Sequence, residues 1–549
     1  MSYKIVEKKK LNDVVYLMDI EAPRVAHSAK PGQFIIVIID EKGERMPLTI
    51  ADYDKERGTV TIVFQVVGFS SKKLGKLEVG DSIKDFVGPL GQPSEFIYED
   101  IDELKKKKII FIAGGVGAAP VYPQVKWLFE RGIKADVVQG AKSKDFVNWD
   151  RLPVALAPDD EIKGQCFSGT ALCEGDKHIL IYTVHNDGKE EQAVEIGDGE
   201  DYKSISKESV IRVEHLPKGF SGIDFRDPKI WKEDGVYYCV VSAKNERGLG
   251  SILLFTSNNL IDWEYKNILF ENNGDYGKMW ECPDFFKLND KYILVVSVME
   301  MHAEGREYFN GHQVLYFVGE YDKKLYRFTP TDKARTLDFG FDYYAPQSLN
   351  ANERTLSVAW LHDWGNDLTP DGAKWRGPMT YQRELELKEN IIYQMPAKEI
   401  KKHYANEYKT GFCLSKDNKF QDTKLNSRVA RLDLDIEKID AKECIIYLAS
   451  NHRYSSFIKI NFKKKTLKFS RRFSGLTKDA IDERKIDIDI KDGRLSLSVL
   501  LDRFSVEIFV NGGKEVLSSR IYTPVEANEI SFIADGEVNM QVSKMDIIE

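Results

Sequence analysis

A chain of 549 residues exceeds what one hydrophobic core can organise, so roughly two to four domains are expected. Hydrophobic residues make up 42% and charged residues 30%, and the formal net charge is only -8, which leaves out a strongly basic nucleic-acid or anionic-membrane binder. No apolar run approaches the roughly 20 residues of a membrane-spanning helix, and the opening "MSYKIVEKKKLND" has no apolar signal region, so a cytoplasmic location is expected. The six cysteines (Cys166, Cys173, Cys239, Cys282, Cys413 and Cys444) include no C-x-x-C pair, so neither a thiolate metal site nor a disulfide framework is expected.

The first elements in chain order are short strands. "GQFIIVIID" and "GTVTIVFQVVG" alternate or run apolar over strand lengths between Gly, Pro and Asp turns, and residues 1–98 read as a small antiparallel barrel. The pattern then changes. "KKIIFIAGGVGAAPVYPQVKWLFERGIKADVVQGA" is an apolar strand, a Gly-rich turn, an amphipathic helix and a second apolar strand, which is one βαβ unit over residues 99–147. Glycines at such a turn let backbone N–H groups approach a phosphate at a helix N-terminus. The run "KKKK" at 105–108 reads as a solvated loop before the strand.

With "RMPLTIADYD" (45–54), "GFSS" and "GDSIKDFVGPLGQP", this region resembles the flavin-binding barrel of the ferredoxin–NADP reductase superfamily. It is most similar to the electron-transfer subunits that accompany dihydroorotate dehydrogenase and to NADPH-dependent ferredoxin reductases. The resemblance implies that Arg45, Pro47, Leu48 and Thr49 hold FAD, that Gly68, Ser70 and Ser71 lie near its pyrophosphate, and that Gly114, Gly115, Val116 and Gly117 face a nicotinamide nucleotide. The family's pattern is broken, however. Only one βαβ unit precedes a change of character, and the first 165 residues contain no cysteine for an iron–sulfur cluster. Electron transfer to a reductase partner is therefore not expected.

From Ser143 onward the runs are short, aromatic and β-rich: "HILIYTVHN", "GVYYCVVSAK", "KYILVVSVME", "QVLYFVGEYD", "TLSVAWLHDW". Repeated short antiparallel sheets of this kind fit a β-propeller over residues 148–398. Past about residue 400, "SRVARLDLDI", "SSFIKINF" and "RLSLSVLLDRFSVEIFVNGG" alternate strictly, as strands of a two-sheet sandwich over residues 399–549 do. The expected architecture is thus mainly β: a barrel with one βαβ unit, then an incomplete five-bladed propeller and a C-terminal β-sandwich.

Segments standing in order along this part carry a second resemblance: "SKDFVNWDRLPVALAPD" (143–159), "CFSGTA" (166–171), "FRDPKIW" (225–231), "MWECPDFF" (279–286), "FDYYAPQS" (341–348), "KWRGPMTYQRELEL" (374–387) and "RFSVEIFVNGG" (503–513). Residues 143–549 resemble the β-fructofuranosidase or invertase family, glycoside hydrolase family 32. Such an enzyme cleaves sucrose, sucrose 6-phosphate or related fructosides, a small-molecule substrate needing no cofactor for hydrolysis. A retaining glycosidase uses one carboxylate as nucleophile and a second carboxyl as acid/base. The resemblance makes Glu281 the acid/base and Asp227 the carboxylate that stabilises the transition state, with Arg226 beside it. It also implies that Phe167, Ser168, Cys282, Asp342, Tyr344 and Trp375 contact the sugar. Trp280 and Cys282 flank Glu281, an apolar sequence context that predicts a raised pKa.

The family's nucleophile is the aspartate of a W-M-N-D-P-N-G segment upstream of "SKDFVNW", and no such segment occurs in this chain. Its only Asp-Pro is Asp227-Pro228. "VVQGAKSKDFVNW" is where a truncated reductase-like part meets a truncated fructosidase-like part, a pattern given equally by recombination, gene-assembly artefact or deliberate chimera. Three expectations follow. Hydrolysis is impaired, with Asp159, Asp160 or Asp224 as the conceivable replacements; "KADVVQGA" stands in for one lost propeller strand; and the chain is either a flavoprotein fragment or a non-catalytic sugar-binding propeller if hydrolysis is absent.

Overall fold

The computed structural model describes residues 3–10, 15–41, 43–66, 68–106, 109–112, 118–133, 135–138, 141–143, 149–151, 164–186, 188–197, 202–206, 209–351, 353–366, 368–370, 376–416, 418–476 and 481–548. The chain divides into two compact units, the first built mainly from residues 1–144 and the second mainly from residues 158–549. No described helix is long and apolar enough to cross a membrane.

In the first unit, strands Tyr3–Lys10, Val15–Glu21, Phe34–Ile38, Met46–Asp54, Thr59–Gln65, Ser82–Ile83 and Asp85–Leu90 form one sheet. Its pairings are antiparallel, and its two edge strands, Ser82–Ile83 and Asp85–Leu90, are separated in sequence by Lys84 alone, so the sheet closes on itself. Alternation in "FIIVI" and "TVTIVFQ" sends Ile35, Val37, Val60, Ile62 and Phe64 into one interior. Beyond it, Ile109–Ile112 pairs in parallel with Ala135–Val138 across the helix Ala118–Phe129. The expectation that "KADVVQGA" replaces a propeller strand is therefore corrected. Ala135–Val138 takes its hydrogen bonds from Ile109–Ile112, an all-apolar partner whose parallel ladder requires the intervening helix.

The second unit contains four four-stranded antiparallel blades among the described residues. Blade I is Gln165–Glu174, Lys177–Asn186, Lys189–Gly197 and Tyr202–Ser204; blade II is Phe220–Glu233, Val236–Asn245, Gly250–Ser257 and Glu264–Glu271. Blade III is Trp280–Leu288, Lys291–Met299, His312–Asp322 and Arg327–Pro330, with Arg335–Thr336 added; blade IV is Tyr344–Ala351, Arg354–Trp360, Arg383–Lys388 and Ile391–Pro396. Middle strands such as Gly250–Ser257 are buried throughout because blades stack on both their faces, which is why they read as nearly continuous apolar runs.

Two six-stranded sheets follow. In "ARLDLDIEK" every second side chain is buried, and Leu432, Leu434 and Ile436 meet Cys444, Ile446, Ile458 and Phe469 in the sandwich core. Blade IV joins the sandwich through Ile400, Leu500, Phe509 and Val516 and through the fully buried Arg383. That guanidinium meets Glu507 Oε2 at 2.6 Å, Asp338 Oδ2 at 2.9 Å and Gln394 Oε1 at 3.1 Å.

Candidate active site

The first strand of each blade carries the same defect. The ladder skips two residues between Cys166 and Gly169, between Arg226 and Lys229, between Glu281 and Asp284, and between Tyr344 and Gln347. In blades II, III and IV the second skipped residue is proline, which has no N–H to give a ladder. The first stands at positive φ: 66° at Asp227, 46° at Cys282 and 50° at Ala345. A bulge of this kind bends the strand and re-aims the side chain before it. Here it turns Arg226, Glu281 and Tyr344 toward one point. Arg226 Nε and Nη2 lie 3.1 and 3.0 Å from Glu281 Oε1, and the Tyr344 hydroxyl donates to Glu281 Oε2 at 2.7 Å. The repeated "RDP", "ECP" and "YAP" are a sequence signal for this convergence that the motif-by-motif reading missed.

Just past the kinks the blades are tied together around the axis. Lys229 Nζ meets Asp284 Oδ1 at 2.8 Å and the Ser348 carbonyl at 2.7 Å, and Ser348 N donates to Asp284 Oδ2 at 2.6 Å. Thr170 of blade I donates to the Pro228 carbonyl at 2.9 Å and accepts from Ile230 N at 3.1 Å. Around the buried Asp284 such contacts hold geometry because leaving a buried partner unmatched is costly.

Asp227 is buried. Its Oδ2 accepts from Cys282 N at 2.9 Å and from Cys282 Sγ at 3.5 Å. Burial first, then the nearby Glu281 charge, push its carboxyl up to about 6. Burial also pushes the Cys282 thiol up, with Asp227 and Glu281 adding to it, so it remains a neutral donor. Arg226 has three carboxylate partners, Glu281, Glu190 at 3.0 Å and Asp224 at 3.0 Å. Burial opposes its charge, and Glu281 and Glu190 outweigh that and hold it firmly cationic. Burial likewise raises Asp224, but Lys244 at 2.7 Å and Arg226 overcome it and hold the carboxyl below the usual range.

Arg226, Asp227, Glu281, Cys282 and Tyr344 come together, and the Ser168 side chain hydrogen-bonds that of Cys282. Phe167 is partly exposed and stacks on His185 with ring centroids 4.9 Å apart. The apolar surroundings expected for Glu281 are corrected: Trp280 is buried in the core between blades, Cys282 turns its thiol to Asp227, and the Glu281 carboxylate meets a guanidinium and a phenol. Asp342 is also corrected. Its oxygens are taken by Arg520 N at 2.8 Å, Arg520 Nε at 3.0 Å and Arg471 Nη1, so it anchors the propeller to the sandwich instead of facing a ligand. Although burial opposes ionisation, Arg471 and Arg520 hold its carboxyl below the usual range. Trp375, Asp159, Asp160, Gly114, Gly115, Val116 and Gly117 lie outside the described residues.

An aromatic group beside Tyr344 escaped the sequence reading. Trp360 stands opposite Tyr344 in the ladder, stacks on His362 at 4.1 Å and meets the half-exposed Trp364 edge-on at 5.3 Å. The alternation W-x-H-x-W in "AWLHDW" is the signal that marks it. In the first unit, Ser70 Oγ donates to Glu44 Oε2 at 2.5 Å, which brings the turn at Gly68 beside Arg45 and the strand holding Pro47, Leu48 and Thr49. The buried Ser71 hydroxyl accepts from Gly68 N at 3.0 Å and donates to Gly68 O at 3.2 Å.

Chemically, an oriented carboxylate between a cation and a phenol can exchange a proton with a bound hydroxyl or ether oxygen. A buried carboxylate 2.9 Å from a backbone N–H can accept from a polyol. The comparisons agree with such a site. Residues 138–396 match the Glycosyl hydrolases family 32 N-terminal domain, and residues 399–549 match the Glycosyl hydrolases family 32 C terminal domain. A sucrose-6-phosphate hydrolase of Bacillus subtilis is 34% identical over 419 residues, 73% of this chain and 83% of that protein. The solved sucrose-6-phosphate hydrolase of Lactobacillus gasseri superposes with a TM-score of 0.65 at 25% identity, over 75% of this chain and 85% of that one. An uncharacterized protein in the adh 3'region of Clostridium beijerinckii is 67% identical over 148 residues, 27% of this chain; the chain spans half the length of that relative. With family 32 matches running from the first blade through the sandwich and the converging carboxylates set within them, the chain belongs to glycosyl hydrolase family 32, a family of glycosidases that need no cofactor for hydrolysis.

Proposed function

We propose that the propeller binds the fructosyl unit of sucrose-type β-fructosides, with sucrose and sucrose 6-phosphate as the substrate class. The observation that carries this reading is the convergence of Arg226, Glu281 and Tyr344 from three successive blades beside the buried Asp227. Relatives from Bacillus subtilis and Escherichia coli bearing the name sucrose-6-phosphate hydrolase support it, as does a Bombyx mori β-fructofuranosidase solved in complex with sucrose. In this reading Glu281 is the acid/base, its carboxyl oriented by the Tyr344 hydroxyl and Arg226 toward the leaving oxygen. Asp227 accepts hydrogen bonds from fructosyl hydroxyls and stabilises positive charge at the anomeric carbon; Cys282, Ser168 and Phe167 complete the wall. The domain reading that goes with it is a barrel over 1–98, a truncated βαβ unit over 99–147, the propeller over 148–398 and the sandwich over 399–549.

The same reading includes impaired turnover. No W-M-N-D-P-N-G segment occurs in the sequence, and Asp224, the one described replacement, has its two oxygens held by Arg226 and Lys244. Fructose release from sucrose and sucrose 6-phosphate, measured beside calorimetric binding of both, tests the two parts separately. Binding with turnover far below the usual range of about 1–10³ per second supports both. Turnover within that range overturns the impairment, and failure to bind either sugar overturns the substrate class.

A second reading concerns the first unit and rests on the Ser70–Glu44 bond that sets two exposed segments side by side. Arg45, Pro47, Leu48 and Thr49 would hold FAD, with Gly68, Ser70 and Ser71 near its pyrophosphate. Purified protein lacking the flavin absorption band after incubation with FAD and desalting would overturn it.

A further inference from the structure

Behind the strand that carries Arg226 and Asp227 runs a line of buried polar side chains from blade I. Thr183 and Gln192 are fully buried and Glu190 is 4% exposed. Thr183 Oγ accepts from Asp227 N at 2.9 Å and donates to Gln192 Oε1 at 2.7 Å. Gln192 Nε2 donates to the Phe225 carbonyl at 2.8 Å. Glu190 Oε2 accepts from Phe225 N at 2.9 Å and from Arg226 Nη1 at 3.0 Å. Three side chains of one blade thus take up the polar groups of three consecutive residues, 225–227, in the next.

Those residues need such support. Asp227 stands at φ 66° in front of a proline, a conformation that costs of order 1–3 kcal/mol and persists only where its surroundings fix it. The bulge leaves its N–H without a ladder partner, and a buried N–H must find an acceptor. Packing alone would be served as well by apolar side chains of similar size, without the cost of burying an amide, a hydroxyl and a carboxylate. We propose that Thr183, Gln192 and Glu190 are positioning residues of the fructoside site: they fix the backbone of residues 225–227 so that Asp227 and Arg226 meet the sugar already oriented, and Glu190 sets how much of the Arg226 charge is left for Glu281 and Asp227. This rests on the fructoside-binding reading of Asp227 and Arg226.

The test is calorimetry of the full chain with fructose and with sucrose across pH 5 to 8, beside thermal melts. Thr183→Val keeps the shape and removes the acceptor; affinity for both sugars falls about tenfold or more, and Thr183→Ser restores it. Glu190→Gln probes charge. Asp227 is faced by Glu281, Arg226, Cys282 and Tyr344, and Arg226 by Glu281, Glu190 and Asp224, with His185 beside Glu190 and Lys244 behind Asp224. Without the Glu190 charge the guanidinium is less neutralised, so Asp227 ionises at lower pH and the pH at which binding is lost moves down. A role confined to packing moves stability and leaves that midpoint in place. Parental affinity in Thr183→Val, or an unmoved midpoint in Glu190→Gln, overturns the proposal. If Thr183→Val does not fold, the Glu190→Gln midpoint decides. A parent chain that binds neither sugar instead overturns the fructoside reading itself.

Discussion

Asp227 occupies a position where ionisation and folding pull against each other. Its folded value of about 6 lies above the usual carboxylate value of 3.8 because burial and the Glu281 charge both disfavour its anion. The stability it lends is therefore full below about pH 4 and lost as pH rises through about 6. Asp227→Asn removes that charge, and asparagine tolerates the left-handed φ of this residue. The variant should be more stable than the parent at pH 8 by about 2–3 kcal/mol and indistinguishable at pH 4, as read from denaturant midpoints. Its fructoside binding should be lost at both. In the parent chain, binding should weaken as pH falls through about 6, because a protonated carboxyl has one fewer acceptor for sugar hydroxyls. An unchanged affinity between pH 5 and 8 would count against Asp227 as a contact of the sugar.

At the scale of the strand, the kink at the head of each blade determines where chemistry can stand. Ala345, with φ 50° and its N–H on Ser297 Oγ at 3.1 Å, is the kink residue whose side chain has no polar role. Ala345→Val should lower stability by about 1–3 kcal/mol through strain at positive φ, and should weaken fructoside binding by tilting Tyr344 away from Glu281. Ala345→Gly should be neutral or stabilising and leave binding intact. Thermal melts and calorimetry on both variants check this. The blades were legible in the sequence because period-2 alternation and turn residues are local properties, and "FRDP" with "MWECPDFF" gave Arg226, Asp227, Glu281 and Cys282. What was not legible depended on partners distant in sequence. Asp342 sits in a motif yet is claimed by Arg471 and Arg520, about 130 and 180 residues away. Glu281 looks apolar between Trp280 and Cys282 in sequence, yet its carboxylate meets Arg226 and Tyr344, which come from other blades. Thr183, Gln192 and Glu190 carry no motif, since a buried hydrogen-bond chain between blades leaves no spacing signature.

Across the second unit, propeller and sandwich share buried charges, so they should fold as one. Arg383 sits between Glu507 and Asp338, and Asp342 between Arg471 and Arg520. Burial already pushes the Glu507 carboxyl up despite Arg383 beside it. Arg383→Met leaves two buried carboxylates without their cation and should cost about 3–5 kcal/mol at pH 8. The loss should shrink at pH 5, where the Glu507 carboxyl, already pushed up by burial, can take up a proton. In the parent chain, propeller and sandwich should melt in one transition; two separate transitions there would show that the shared buried charges do not couple them. The repeated kink has a consequence for what such a ring can become. Because the residue just ahead of each bend is aimed inward by backbone shape and not by its own identity, positions 226, 281 and 344 work like sockets in a fixed mount. Randomising 281 and 344 while Arg226 is kept as the counter-charge to Glu190 and Asp224 should change which ligands are gripped with little cost to sheet packing, which makes the blade heads a natural starting point for directed evolution of new binding specificities.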